Sequence, residues 1–229
     1  MPLKLKVDLH THTAEDPQED INYDAFQLID RASQEGFDIL AITNHNLVTY
    51  NQELAEYGKK KGILLIPGIE ATFSDKEVLI LNPNFEKTPL KSSLEDLLKI
   101  KNDHNLIIAP HPFFPNKKSL KSDLFPYLSF FDAIEFSHFY NRYINFNKQA
   151  VRTANQYNKP LMGMSDCHNI WQFGTTYTLV EAEKEMLSVF QVIKKGKIEI
   201  RTTPVSLRIM ARVLLNFFLA KRLKTSFRF

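Results

Sequence analysis

Cysteine is nearly absent. Cys167 is the single one in 229 residues, so no intramolecular disulfide can form and a small secreted disulfide scaffold is excluded. A structural zinc site built from four thiolates is excluded with it. No stretch approaches the ~20 uninterrupted apolar residues of a membrane-spanning helix. The opening Met1-Pro2-Leu3-Lys4-Leu5-Lys6 has no apolar stretch long enough for a secretory signal. These absences point to a reducing, cytoplasmic setting. Internal repeats and low-complexity tracts are missing too. Acid is missing from the tail: of the 29 Lys and Arg, seven lie from Arg201 onward, against none of the 26 Asp and Glu, so residues 1–200 carry a net charge of −4. A mildly acidic body without a basic, aromatic track suits a compact substrate better than a long polyanion.

Apolar residues at 44% and aromatics at 12% instead describe an ordered globule with a sizeable core, of a length that suits one domain. The most informative pattern is Val7-Asp8-Leu9-His10-Thr11-His12. Residues two apart on a strand face the same side, so His10 and His12 make a ready divalent-metal clamp. An H-x-H alone is weak evidence, but the other candidate ligands fall in matching places. Ile39–Thr43 leads to Asn44 and His45, Ile63–Ile69 to Glu70, and Leu106–Pro110 to His111. Ala133–Ser137 leads to His138, and Leu161–Ser165 to Asp166, Cys167 and His168. Only His104 breaks the pattern, and it reads as a surface or helix-end histidine. In parallel α/β architectures, sites form at the carboxyl ends of the strands.

Helical patterns at 24–34, 51–61, 92–103, 144–157 and 183–194 alternate with these runs, with further strands at 77–81 and 197–202. The alternation predicts an α/β fold, a parallel sheet of six or seven units closing into a distorted TIM-like barrel, with an open doubly wound sheet as the alternative. The loop-like stretch 113–130, beside His111, is a candidate wall of a substrate pocket. Mixed imidazole and carboxylate ligands suit zinc, manganese or ferrous iron rather than calcium.

In order along residues 4–170, the motifs Asp8-Leu9-His10-Thr11-His12, Ala41-Ile42-Thr43-Asn44-His45-Asn46, Pro67-Gly68-Ile69-Glu70, Ala109-Pro110-His111-Pro112 and Ser165-Asp166-Cys167-His168 resemble the PHP (polymerase and histidinol phosphatase) family of metal-dependent phosphoesterases. The resemblance implies a distorted (β/α)7 barrel with up to three divalent ions at the C-terminal ends of its strands. One ion would be held by His10, His12, Glu70 and Asp166, a second by Glu70, His111 and His138, and a third by Asp16, His45 and His168. A metal-bridging hydroxide would be the nucleophile, with Glu70, Asp166 and His168 in the catalytic centre. His168 or His138, where not bound to metal, could protonate the leaving group. Arg142, Lys117 and Lys118 are candidate phosphate-binding cations. The chain departs from the family pattern at Asn44, where Asp is common. Glu15 competes with Asp16 for the acidic position, and Glu77 and Val78 stand near a position often occupied by His.

The expected activity is hydrolysis of a small-molecule or nucleotide phosphoester. The alternatives are 5′→3′ trimming of short oligonucleotides and a non-catalytic PHP module. After the barrel, residues 1–203, the segment 204–229 predicts a basic, largely apolar helix entered through Pro204. Arg208, Arg212 and Asn216 form its narrow polar stripe. It would pack on the barrel or on a second copy, or lie on a membrane surface.

Overall fold

Strand propensity and helix capping together place the first elements. The protein is described from a computed structural model over residues 3–84 and 92–211. β1 (Leu3–Asp8), α1 (Ala25–Gln34), β2 (Ile39–Ile42), α2 (Gln52–Lys60) and β3 (Leu64–Phe73) form two β-α-β units with parallel pairing. Helix α1 starts at a reciprocal cap: Gln27 N donates to Asp24 Oδ1 at 2.8 Å and Asp24 N to Gln27 Oε1 at 2.9 Å, satisfying two otherwise orphaned donors. Leu28, Ile29 and Ala32 form its buried face. Asn51 caps α2 by accepting from Leu54 N.

The alternation then breaks. β4 (Lys76–Leu81) runs antiparallel to both β3 and β5 (Leu106–Ala109). The helix expected over 92–103 is shorter: a 3-10 turn at Leu94–Asp96 leads into α3 (Leu97–Ile100). Its amino end is held by Ser93 N donating to Asp96 Oδ2. It stops at Ile100 because the Asn105 and Asn102 side-chain amides both donate to the Ile100 carbonyl, at 2.7 and 3.1 Å, turning the chain away. Parallel pairing resumes with β6 (Ala133–Ser137), α4 (Asn147–Gln156) and β7 (Leu161–Met164). An unforeseen strand, β8 (Thr176–Ala182), pairs antiparallel with β1, and after α5 (Met186–Lys194) the last strand β9 (Ile198–Thr202) pairs with β8.

The strand order is β7-β6-β5-β4-β3-β2-β1-β8-β9, and its ends come together. Thr11 and Cys167 form a parallel bridge just past β1 and β7, and Ser165 N donates to Asp8 Oδ1 at 3.2 Å. Lower in the seam a side chain replaces the ladder: the Thr178 hydroxyl accepts from Gly163 N at 3.0 Å and donates to Gly163 O at 2.9 Å. Only glycine fits there, since a Cβ would lie 2.6 Å from Ile200 Cγ2. The sheet is therefore a nearly closed, distorted α/β barrel of mixed pairing, not an open doubly wound sheet. Its apolar core includes Leu5, Val7, Ile39, Ile66, Ile108 and Met162, joined by Val189, Phe190 and Ile193 of α5.

Residues 203–211 leave β9 and dock beside the β6–α4 connection. Val205 N donates to Tyr140 O at 2.8 Å, and Val205 and Met210 pack with Phe139 and Phe114. Only the start of the expected C-terminal helix, 207–211, falls within the described residues; 212–229 lie outside them. Among the described residues no helix is long and apolar enough to cross a membrane.

Candidate metal centre

The closure of the sheet brings the strand-end side chains to one mouth. His10 and His12 follow β1, His45 follows β2, and Glu70 stands within β3. Glu77 stands at the start of the reversed β4, His111 follows β5, and Asp166 and His168 follow β7. His111 and Asp166 both have positive φ, 23° and 45°, a backbone region sparsely populated by residues with a Cβ and one that recurs at functional sites. His10, His12, Glu70 and Glu77 are all at most 3% exposed.

Five of the imidazoles share one arrangement. His10 Nδ1 faces Glu135 Oε2 at 3.2 Å, and His12 Nδ1 and His45 Nδ1 face the same Asp16 Oδ2 at 3.0 and 2.8 Å. His111 Nδ1 lies 3.3 Å from Ser119 Oγ, whose own proton goes to His111 O, and His168 Nδ1 lies 3.1 Å from the Asp166 carbonyl. Each acceptor takes the Nδ1 proton in a hydrogen bond and so turns Nε2 inward, the arrangement that orients imidazole ligands in metal sites.

His138 differs. Gln172 Oε1 accepts from His168 N and Asn169 N, which turns the Gln172 amide nitrogen onto His138 Nε2 at 2.9 Å. That bond occupies the Nε2 lone pair and leaves Nδ1 buried without a partner.

Glu70 is the hub. Its Oε1 lies 3.4 Å from His10 Nε2 and 3.3 Å from His111 Nε2, and its Oε2 lies 3.4 Å from His12 Nε2 and 3.1 Å from His45 Nε2. Asp166 Oδ1 is 3.3 Å from His10 Nε2 and 3.5 Å from His12 Nε2. His10 Nε2, His12 Nε2, Glu70 Oε1 and Asp166 Oδ1 are all buried without a hydrogen-bond partner, which a native interior tolerates only where something else satisfies them. Donors bound to one ion at ~2.0–2.2 Å stand roughly 3–3.5 Å apart, so the residues present fit a metal. Four overlapping triads have ligand atoms within 4.8 Å of one another: His10/His12/Glu70, His10/His111/Asp166, His12/His45/His168 and His45/Glu70/Glu77. Overlap of this kind describes a polynuclear centre.

Electrostatics points the same way. Burial alone would strip the protons from His12, His45 and His111. Instead Asp16, Glu70, Glu77 and Asp166 hold the three up to about 10, about 9 and about 10. Burial also opposes charge on Glu70 and Asp166, but the neighbouring imidazoles, His10 foremost, keep both well below the usual carboxylate range. His138, with no carboxylate bonded to it, is pushed down by burial to about 4. Burial raises Asp8 to about 7.

Of the remaining sequence candidates, Asp16 is buried behind His12 and His45, on their Nδ1 side, while Glu15 is exposed. Lys118 reaches Glu77 Oε1 at 2.9 Å. Lys117 is exposed, and Arg142 is exposed and stacked over Tyr143. Cys167 is fully buried, its thiol 2.9 Å from Tyr23 OH and pushed up by burial, a packing group. Asn44 uses both ends of its amide, accepting from Thr13 N and donating to Thr13 and Thr49. An Asp could not make those donations; the orientation of His45 comes from Asp16. Sequence reasoning did not single out Asp8 or Glu135 as part of the centre, and met Glu77 only as a residue near a position often occupied by His. The signal was a carboxylate in or beside an apolar strand whose neighbours all face a core, where an unpaired charge is costly.

Comparisons with known proteins agree with this architecture. Residues 145–198 match the PHP-associated family model. An alignment over 137 residues gives 28% identity to an uncharacterised protein of Methanocaldococcus jannaschii, covering 53% of this chain and 75% of that one. A candidate metal-dependent phosphoesterase from Bifidobacterium adolescentis superposes with a TM-score of 0.54 at 15% identity, over 74% of this chain and 90% of its own. A lesion-specific endonuclease from Pyrococcus furiosus superposes with a TM-score of 0.58 at 15% identity, over 86% of this chain and 58% of its own. At these identities the likeness of the two structures is one of fold. The chain thus has a PHP-like distorted barrel with a PHP-associated segment. Its mouth holds buried histidine and carboxylate clusters consistent with a polynuclear metal site.

Proposed function

We propose that this protein hydrolyses a small-molecule or nucleotide phosphoester with two or three divalent ions, zinc, manganese or iron. The observation that carries the reading is the set of four inward atoms, on His10, His12, Glu70 and Asp166, that are buried, mutually close and without partners. Ions bound there would lower the pKa of water toward neutrality and clamp phosphate oxygens. The chain's own residues do the rest. Glu70 offers one oxygen to each side of the cluster and so joins the subsites. Glu135, Asp16 and Ser119 fix the ring orientations. Next to the cluster lies a cleft of about 370 Å3 whose lining includes His138, His168, Phe114, Phe139, Asn116 and Gln172. Its volume suits a compact organic phosphate, with an apolar wall for the organic part and the His138 ring, its Nδ1 uncommitted, beside it.

The test is release of inorganic phosphate from an aryl phosphate by protein reconstituted with manganese. His10→Ala and Asp166→Ala should each reduce it to the metal-free level; retained activity in both would refute the site. A second reading, 5′→3′ trimming of short oligonucleotides, draws on the endonuclease's shared fold. It predicts stepwise shortening of a 3′-labelled hexanucleotide by the same preparation. Bound metal without either activity would point to a non-catalytic module.

A further inference from the structure

Glu77 is a carboxylate that the proposed phosphoesterase reading does not require. It is 3% exposed and enters the mouth from β4, the strand whose reversal breaks the parallel pattern. Its two oxygens reach opposite ways: Oε1 lies 3.4 Å from His45 Nε2, and Oε2 lies 3.7 Å from His111 Nε2. Between them stands Glu70, whose oxygens approach the same two rings at 3.1 and 3.3 Å. His45, Glu70 and Glu77 present ligand atoms within 4.8 Å of one another.

Glu77 differs from the other acids of the mouth in having a lysine on it. Lys118 Nζ is 2.9 Å from Glu77 Oε1 and 3.0 Å from Gln18 Oε1, with its side chain still 42% exposed. The pairing is built into the backbone. Glu77 N donates to Lys118 O at 2.9 Å, and Lys76 Nζ donates to the carbonyls of Lys117 and Ser119. Ser119 in turn holds His111. The start of β4 therefore staples the loop that carries Lys118, and that loop also orients an imidazole of the cluster.

We propose that Glu77 is a metal-binding carboxylate of this centre, acting with His45 and Glu70, and that Lys118 is the cation that neutralises it until an ion does. An ion held by Glu77 would compete with the ammonium for Oε1. Lys118, half-exposed, would then be available to an anionic substrate. One carboxylate cannot satisfy a divalent ion and an ammonium equally well, so the two compete.

The inference rests on metal binding at the proposed centre, but its test does not use activity. Apo protein is titrated with manganese, and bound ions per chain and their affinities are measured for wild type, Glu77→Gln and Lys118→Met. Glu77→Gln should bind one ion fewer, or bind one at least tenfold more weakly. Lys118→Met, freed of the competitor, should bind that same ion several-fold more tightly. Glu77→Gln indistinguishable from wild type in number and affinity overturns the proposal. Should Glu77→Gln not fold, Lys118→Met decides alone, with unchanged or weakened affinity overturning it. Metal binding that responds in this way, without phosphate release, would sink the phosphoesterase reading and leave this one standing.

Discussion

The barrel has two interiors. Around Leu5, Ile39, Ile66, Ile108 and Met162 it is filled by apolar side chains with no polar debt. At the mouth the same strands deliver His10, Glu70, His111 and Glu135, equally buried, with several atoms unpaired. The first interior stabilises the fold by removing apolar area from water. The second costs stability, because charges taken out of water are repaid only by close partners of opposite sign. In the metal-free protein those partners are the protons that the carboxylates hold on His12, His45 and His111. The floor should therefore respond to volume alone, and the mouth to charge and metal.

The largest effect that separates them is on metal content. His10→Ala removes a ring whose Nε2 faces both Glu70 and Asp166, so at least one ion per chain should be lost by elemental analysis. Ile108→Ala should leave the metal count unchanged. Loss of metal in the floor variant would erase the distinction.

Stability should divide the opposite way. Ile108→Ala is expected to cost about 2–5 kcal/mol in chemical denaturation, by similar amounts with and without manganese. Saturating metal at ~1,000 times its Kd should add about 4 kcal/mol to wild type. Glu135→Gln, which weakens the anchor of His10 Nδ1 and of His111 N, should lower metal affinity roughly 10–100-fold and so remove part of that gain. A Glu135 variant with undiminished affinity would show that ring orientation is set elsewhere.

The strand ends were readable because each apolar run stops at a residue whose chemistry has no business in a core, as at Ile108-Ala109-Pro110-His111. The reversal of β4 was not, since Lys76–Leu81 has the same composition whichever way it runs, and direction is decided by the tight turn at Ser74 and Asp75, both with positive φ. β8 escaped for a different reason. Its alternating buried and half-exposed residues, Thr176 to Val180, carry hydroxyls, not aliphatic chains, at Thr176 and Thr178, because Thr178 is needed to bond Gly163 across the seam. Glu135 reads as an ordinary polar interruption of Ala133–Ser137 until the folded barrel brings His10 to it. Its role is pairwise, and its partner His10 is 125 positions away.

pH should sharpen the contrast. The three imidazoles are raised from an ordinary value near 6.5 to about 9 or 10. Their contribution to the metal-free fold is thus fully present below about pH 6.5 and lost as pH rises through about 9–10. Metal binding must displace inward protons, so it strengthens over the same window. The gap in melting temperature between manganese-loaded and metal-free protein should widen from pH 6.5 to 9. A constant gap would mean that the metal meets neutral rings throughout.

The smallest expected effect lies where the C-terminal segment touches the mouth from outside. Met210 is 2% exposed against Phe139 and Val205, and Asn141 Nδ2 lies 2.9 Å from its sulfur. Phe139 and Phe114, the residues it packs with, also line the cleft. Met210→Ala should cost about 2 kcal/mol, the low end for a buried methionine because the cluster is small. It should leave the metal count intact, since Met210 packs with Phe139, Val205 and Phe114 and is none of the clustered ligands. If the segment serves only to cover an apolar patch, KM for an aryl phosphate stays at the wild-type value. If it props the aromatic wall, KM rises several-fold while kcat holds, because a wall that contacts substrate equally in the ground and transition states contributes uniform binding. A change in metal content instead would mean that the outer segment and the charged interior are one cooperative unit, and that the boundary drawn between floor and mouth extends through the cleft to residues 203–211.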